Sequence, residues 1–214
     1  MAGILDMPQG DETEAADAAS SEPEGSGASG KQRPSRRAQI LDVAERMART
    51  GGYNGFSFRD IASEVGVKSA SVHYHFPTKA DLAVALLSRF REREMAELGP
   101  PTEPGAMLRL IGIYRAAVAD GHGICLAGHF GAGCLALPEP VQAEVARFFD
   151  EMVAWAAACL GETGDERTGA EAVIAGLEGA MILALSTRDV PAFDRAATRL
   201  LEAAKGQPWR SANA

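Results

Sequence analysis

The chain has 214 residues, 46% of them hydrophobic and 23% charged, with a formal net charge of −8. That length holds one large or two small domains with a real core, and no run of about 18 uninterrupted apolar residues offers a membrane span. Three cysteines, an odd number with no C-x-x-C pair, argue against a disulfide framework and suit a reducing cytoplasm.

The charge is unevenly spread. Residues 1–30 carry seven acids (Asp6, Asp11, Glu12, Glu14, Asp17, Glu22, Glu24) and no Lys or Arg. Residues 31–98 carry twelve Lys and Arg against eight acids, and the remainder nine against fourteen. The positive charge therefore falls on one segment, as phosphate binding requires. The acidic N-terminus lacks the pattern of a secretion signal, so a cytoplasmic protein without a membrane segment is expected. Its Ala, Glu, Ser, Gly and Pro bury too little to offset ordering entropy, so residues 1–34 read as a disordered acidic tail ending in a basic arm. The tail is either an inert extension or a competitor with DNA for the basic face. Lys31, Arg33, Arg36 and Arg37 can reach a phosphate or the minor groove.

The first helix is predicted over Ser35–Thr50. Ile40, Leu41, Ala44, Met47 and Ala48 form its core stripe, and Gly51-Gly52 end it. Phe58, Ile61, Ala62 and Val65 follow i, i+3, i+4, i+7, one face of a second helix. Gly66 supplies its αL cap. Val67 and Lys68 turn the chain, and Ser69 is the expected N-cap of a third helix, Ala70–His75. That helix buries little beyond Val72. Ser71, His73, Tyr74 and His75 are hydrogen-bonding or aromatic and need not face a core. A small polar helix held by a glycine turn across a better-anchored one is a helix-turn-helix arrangement. Pro77 ends it, and Thr78-x-x-Asp81 opens a fourth helix, Lys79–Leu98, as a variant capping box.

These residues resemble the TetR family of bacterial transcriptional regulators. The resemblance covers about residues 36–90. It rests on Ile40, Leu41, Ala44, Met47, Gly51, Tyr53, Phe58, Ile61, Ala62, Gly66, Val67, Ser71 through Phe76, Lys79 and Leu82. The family usually has tyrosine where this chain has His73, and often glycine or threonine near Ala70. The resemblance implies an all-α fold: a helix-turn-helix head with its linking helix (35–98) and a helical ligand-binding and dimerisation body (99–205). Residues 206–214 read as a flexible C-terminus. It further implies a repressor that binds a palindromic operator in double-stranded DNA and is released by a small-molecule effector. It implies a homodimer through the last two long helices as well.

Gly99-Pro100-Pro101 breaks the chain, and helices continue to its end. Met107, Leu108, Leu110, Ile111, Tyr114 and Val118 mark the fifth. The sixth, around Ile124–Leu135, is interrupted by glycines. The seventh opens near Pro138, read as a first-turn proline, and runs to Leu160. Glu162–Thr168 reads as a charged loop. The eighth, Ala170–Ser186, is apolar almost all round and so is expected to bury both sides. Its small residues Ala172, Ala175, Gly176, Gly179 and Ala180 permit close helix approach, within the chain or across a dimer. The ninth opens near Pro191.

For DNA contact the candidates are Arg36, Arg37, Lys68, Ser69, Ala70, Ser71, His73, Tyr74, His75 and Lys79. Lys68, Lys79 and His73 are expected on phosphate, and Ser71 and Tyr74 on base edges. Ala70 suits a thymine methyl. Ser69 can instead serve only as a cap, and His75 can pack on Phe76. For the effector, Met107, Tyr114, Phe130, Phe148, Met152, Trp155 and Met181 supply aromatic and thioether surface, with Cys125 and His129 beside them. The same spacing equally suits an ordinary core. His122, Cys125 and His129 stand at i, i+3, i+7, but the glycines among them and the missing fourth ligand speak against zinc. No cofactor is expected. With no G-x-S-x-G, P-loop or HExxH, an enzyme is not expected either. Two alternatives stay open: a regulator switched by oxidation or alkylation of Cys125 near a helix N-terminus, and a helical ligand-binding protein or enzyme with a relic head.

Overall fold

The computed structural model describes residues 34–121, 123–161 and 166–206. The acidic stretch 1–30, Lys31, Arg33, His122 and the C-terminal residues 207–214 lie outside the described residues. The fold is all-α, with no strand among the described residues. In chain order the helices are α1 (Arg36–Gly51), α2 (Phe58–Val65), α3 (Ser69–His75), α4 (Lys79–Leu98), α5 (Ala106–Ala119), α6 (Leu126–Ala132), α7 (Glu139–Leu160), α8 (Glu166–Thr187) and α9 (Val190–Gly206). Short 3₁₀ turns follow α1, at Gly52–Gly55, and α6, at Cys134–Ala136.

Cap chemistry fixes the starts of α1, α2 and α4 and the end of α2. The Ser35 hydroxyl accepts from the Ala38 N–H and starts α1, and the Ser57 hydroxyl accepts from the Asp60 N–H and starts α2. Gly66 takes φ 74°, ψ 39°, and the Val67 N–H reaches back to the Ala62 carbonyl at 2.9 Å. This is the glycine-terminated helix end in which a left-handed residue lets the chain turn sharply. The Thr78–Asp81 capping box is complete: Thr78 Oγ1 accepts the Asp81 N–H at 3.1 Å, and Asp81 Oδ2 accepts the Thr78 N–H at 2.9 Å. A Cβ on Gly66 would touch nothing within 4 Å, so a substitution there meets only backbone strain. Gly66→Ala is expected to lower stability by about 1–2 kcal/mol, the usual penalty of a left-handed L-residue, read as an earlier urea midpoint with unchanged slope.

Several expected boundaries move. Lys68, not Ser69, holds the N-cap place of α3, with no side-chain cap bond, and Ser69 is its first helical residue. Pro138 is the N-cap of α7, and the first-turn proline is Pro140. The sixth helix is only Leu126–Ala132, because the chain tightens into a 3₁₀ turn at Cys134. α8 begins at Glu166, so the expected charged loop is helical from there, while 162–165 lie outside the described residues.

One core runs through the described helices, from Ile40, Ile61 and Val72 through Leu86 and Phe90 to Phe148, Leu177 and Phe193. α4 packs along α7, and α8 packs against α7 and α9. Arg91 of α4 ties the first of these pairs, with Glu144 at 3.2 Å and Glu151 at 2.9 Å. The expectation that α8 buries both sides fails for the chain alone: Ala172, Ala175, Gly179, Ile182 and Leu183 are exposed on one face. Gly176 instead serves packing within the chain, since a Cβ there would lie 2.5 Å from a Leu200 methyl. α8 is long and apolar enough to cross a membrane, at mean hydropathy 1.5 over Arg167–Thr187. In this fold its inner face packs on protein, and its mid-helix Glu178 carboxylate accepts a hydrogen bond from the Tyr114 hydroxyl at 2.8 Å.

Candidate DNA-binding head and effector cavity

The head is built on α1. α2 packs on the apolar stripe of α1 and α3 packs on α2, with Ile61, Ala62 and Val72 all buried. With α3 anchored by Val72 and followed by buried Phe76, its other side chains are not needed in the core. Ser69, Ala70, His73 and Tyr74 are exposed, and Ser71 and His75 are half-buried. Tyr74 is 84% exposed, unusual for an aromatic residue and unexplained by the fold. The His73 ring packs edge-on against Phe58, with centroids 4.5 Å apart. His75 lies between Tyr74 and Phe76, with centroids at 5.3 and 6.5 Å.

Basic groups surround this face. Lys68 is exposed just before α3. The Lys79 ammonium stands over the rings of Tyr53 and Phe56, 4.7 and 4.8 Å from their centroids, and burial lowers its pKa. The Arg37 guanidinium lies over Phe76 at 5.0 Å, and Arg36 donates to Gln39 Oε1 at 2.7 Å. The ten DNA-contact candidates thus fall on α3, the turn before it, and the first turns of α1 and α4.

A cavity of about 580 Å³ lies between α1, α4, α5, α7 and α8. Of the residues expected at the effector site, Tyr114, Cys125, Phe148, Met152 and Met181 line it. Met107, His129, Phe130 and Trp155 do not. The Trp155 indole N–H donates to the Gly99 carbonyl at 2.7 Å. His129 and Phe130 face the head: His129 Nδ1 lies 3.3 Å from the Arg49 carbonyl, and Phe130 meets Tyr53 edge-on. Gly52 is needed there, at φ 58° and with the His129 ring 3.2 Å from where a Cβ would sit.

The cavity also has a charged wall that sequence reasoning missed. α1 contributes Asp42, Glu45, Arg46 and Arg49, and α4 contributes Arg93, Glu94 and Glu97 beside Phe90. Glu45 is its hub. Its carboxylate binds Arg49 at 3.0 Å, Arg89 at 2.9 Å and Arg93 at 2.8 Å. Burial pushes this carboxyl up, but the hydrogen bonds and charges of Arg93 and Arg49 outweigh it and hold the pKa at about 2. The hub joins α1 of the head to α4. A signal was present: Glu45 stands four residues after Leu41, inside the apolar stripe, where a charge needs buried partners.

Deeper in, Tyr114, Glu178 and Cys125 form a polar cluster. Burial raises the Glu178 carboxyl, opposed by hydrogen bonds from Cys125 and Tyr114. Cys125 is the N-cap of α6, and its sulfur accepts from the Gly128 N–H at 3.5 Å. Burial nonetheless pushes the thiol well up, and the Glu178 charge adds to this. The helix N-terminus is therefore overruled, and the thiolate that a redox or electrophile sensor needs is disfavoured. Cys134 and Cys159, both half-buried, are expected to react with iodoacetamide before Cys125 in the native protein, as read by peptide mapping. Fast labelling of Cys125 would restore the thiol-switch reading. Among the described residues no group of three His, Cys, Asp or Glu side chains is placed to hold a metal.

An exposed polar helix, set across a second helix by a left-handed glycine and flanked by basic groups, defines a helix-turn-helix DNA-binding regulator. Residues 40–86 match the family described as bacterial regulatory proteins, tetR family. A TetR-family transcriptional regulator from Agrobacterium tumefaciens is 31% identical over 78% of this chain and 95% of its own, with a TM-score of 0.70. A TetR transcriptional regulator from Legionella pneumophila is 27% identical over 80% of this chain and 98% of its own, with a TM-score of 0.73. A TetR-family member from Streptomyces coelicolor is 28% identical over 79% and 98%, with a TM-score of 0.60. No curated protein sequence matches the chain. The chain belongs to the TetR family of transcriptional regulators.

Proposed function

We propose that this regulator is a homodimeric repressor, released from a palindromic operator when a small molecule enters the cavity. Residues 35–98 act as its head and 99–205 as its body, and it works in the cytoplasm. The observation that carries the reading is the shared cavity wall. α1 of the head and the linking α4 frame the same space as α5, α7 and α8 of the body. A ligand there touches the elements that set the head's position. In the DNA complex, Ser71 and Tyr74 meet base edges and Ala70 a thymine methyl. Lys68, Lys79 and His73 meet phosphate, with Arg36 and Arg37 at the flank.

Release requires a ligand that prefers the DNA-free conformation. Moving the population from mostly bound to mostly free takes about 5 kcal/mol of such preference. The test is a screen for compounds that dissociate the operator complex, repeated on Ala117→Phe, which fills the cavity from α5. Release lost in the variant supports the reading, and release unchanged contradicts it.

The dimer uses the outward face of α8, with α9 beside it. Ala172, Ala175 and Gly179 permit close approach, and exposed Ile182 and Leu183 supply apolar surface. A Cβ on Gly179 meets nothing within 4 Å in the chain itself. Gly179→Arg is therefore expected to leave the monomer folded and to halve the mass measured by light scattering. A dimer that persists would place the interface elsewhere.

A further inference from the structure

The cavity's charges are not equally satisfied. Each guanidinium that lines it has a carboxylate close by: Arg46 with Glu64, Arg49 with Glu45 at 3.0 Å, and Arg93 with Glu45 at 2.8 Å. An anionic ligand would have to displace one of these carboxylates. The α4 acids stand otherwise. Glu94 has only an Arg93 contact at 3.5 Å, from a guanidinium it shares with Glu45. Among the described residues no cation pairs with Glu97. Burial raises the Glu94 carboxyl most; the Arg93 charge lowers it, the Glu97 charge raises it, and the Arg49 charge and the Arg93 hydrogen bond lower it by less, so the group stays above its ordinary value. A carboxylate left under-compensated beside an apolar space is a place where a cation gains most. The adjoining surface is ring and aliphatic: Phe90, Phe148 and Leu110 line the same cavity, and the two phenyl rings lie 5.4 Å apart.

We propose that the effector is an amphipathic organic cation, an ammonium or amidinium on an apolar or aromatic body, with its charge on Glu94 and Glu97 and its body against Phe90 and Phe148. This rests on the cavity being the effector site. Such a cation sits beside Arg93, whose other partner is Glu45 of α1. Its charge weakens the Arg93 bridge between α1 and α4, which carries occupancy of the cavity to the head.

The test uses three probes with one apolar body: 6-phenylhexylammonium, 6-phenylhexanol and 6-phenylhexanoate, titrated into the full chain by calorimetry. The ammonium should bind at least about tenfold more tightly than the alcohol, the usual range for one charge-assisted hydrogen bond, and the carboxylate least. In Glu94→Gln, with its cooperative melt confirmed, the preference should fall to within about threefold, with the alcohol's affinity kept. Glu97→Gln, at an exposed position, should lower it part of the way without a folding penalty. Equal binding of all three probes, tighter binding of the carboxylate, or a preference surviving both substitutions overturns the cationic class while leaving the cavity a ligand site. No binding by any probe overturns the cavity reading on which it rests.

Discussion

Tyr74→Ala is expected to weaken operator binding by about 10- to 100-fold while leaving the fold intact. The core does not need this side chain: it is 84% exposed, its ring contact is with half-buried His75, and Val72 and Phe76 anchor the helix on either side. Its removal should change stability by no more than about 0.5 kcal/mol, as for an exposed site without special contacts. A bidentate base-edge pair is worth about 1–3 kcal/mol; a single tyrosine hydroxyl contact falls at the lower end, and a dimer makes it twice, so the loss is about 2 kcal/mol or about 30-fold. Fluorescence anisotropy at fixed salt reads the loss, and the effect should differ between operator variants because the contact carries sequence information. Lys68→Ala should behave differently. It should weaken all sequences alike and lower the salt slope by about one per protomer, as a phosphate contact does. Unchanged operator affinity in Tyr74→Ala would move the reading surface away from the C-terminal half of α3.

Glu45→Gln carries the largest expected loss of stability. The carboxylate accepts from three arginines on two helices, and removing one member of such a group leaves charges without their partner. The arginines are partly solvated, at 19%, 28% and 44% side-chain exposure, so screening reduces the penalty. We expect about 2 kcal/mol at neutral pH, or about 4–8 °C in Tm for a chain of this size. The sign follows from the depressed pKa. The folded carboxyl titrates at about 2 against an ordinary 4.5, so its stabilisation is complete above pH 4.5 and is lost as pH falls towards 2. The variant should lack that part of the acid-induced loss. Equal stability of the two proteins at pH 7, with parallel acid curves, would show that the hub holds nothing together. Because the hub joins α1 to α4, the same substitution should also loosen the coupling between ligand and head.

The head was legible in the sequence because its signals are local. Ser35, Gly66 and the Thr78–Asp81 box act within a few residues of themselves, so reading them needs no tertiary information. The same rule misplaced Ser69: it has a capping side chain, but the turn set by Gly66 puts Lys68 in the extended conformation that the N-cap position takes. In the body, glycines marked a broken helix, yet one of them makes room for a neighbour: a Cβ on Gly128 would clash with the Glu178 carboxylate. The cavity was half visible. Tyr114, Phe148, Met152 and Met181 announced themselves as large side chains on helical stripes. Of the charged half, only Glu45 left a trace, as a charge inside the α1 stripe; its partners, and the place of Glu94, appear only when α1 and α4 meet. His129 and Phe130 look like ligand-contact residues in sequence, but α6 turns them onto Arg49 and Tyr53. No periodicity within α6 encodes that direction.

The most direct test is selection of bound DNA from a random pool by the purified full-length protein, followed by sequencing. A dimeric helix-turn-helix regulator predicts an enriched palindrome whose half-sites lie about one helical turn apart, roughly 34–36 Å. Enrichment no greater than the salt-sensitive background would contradict it.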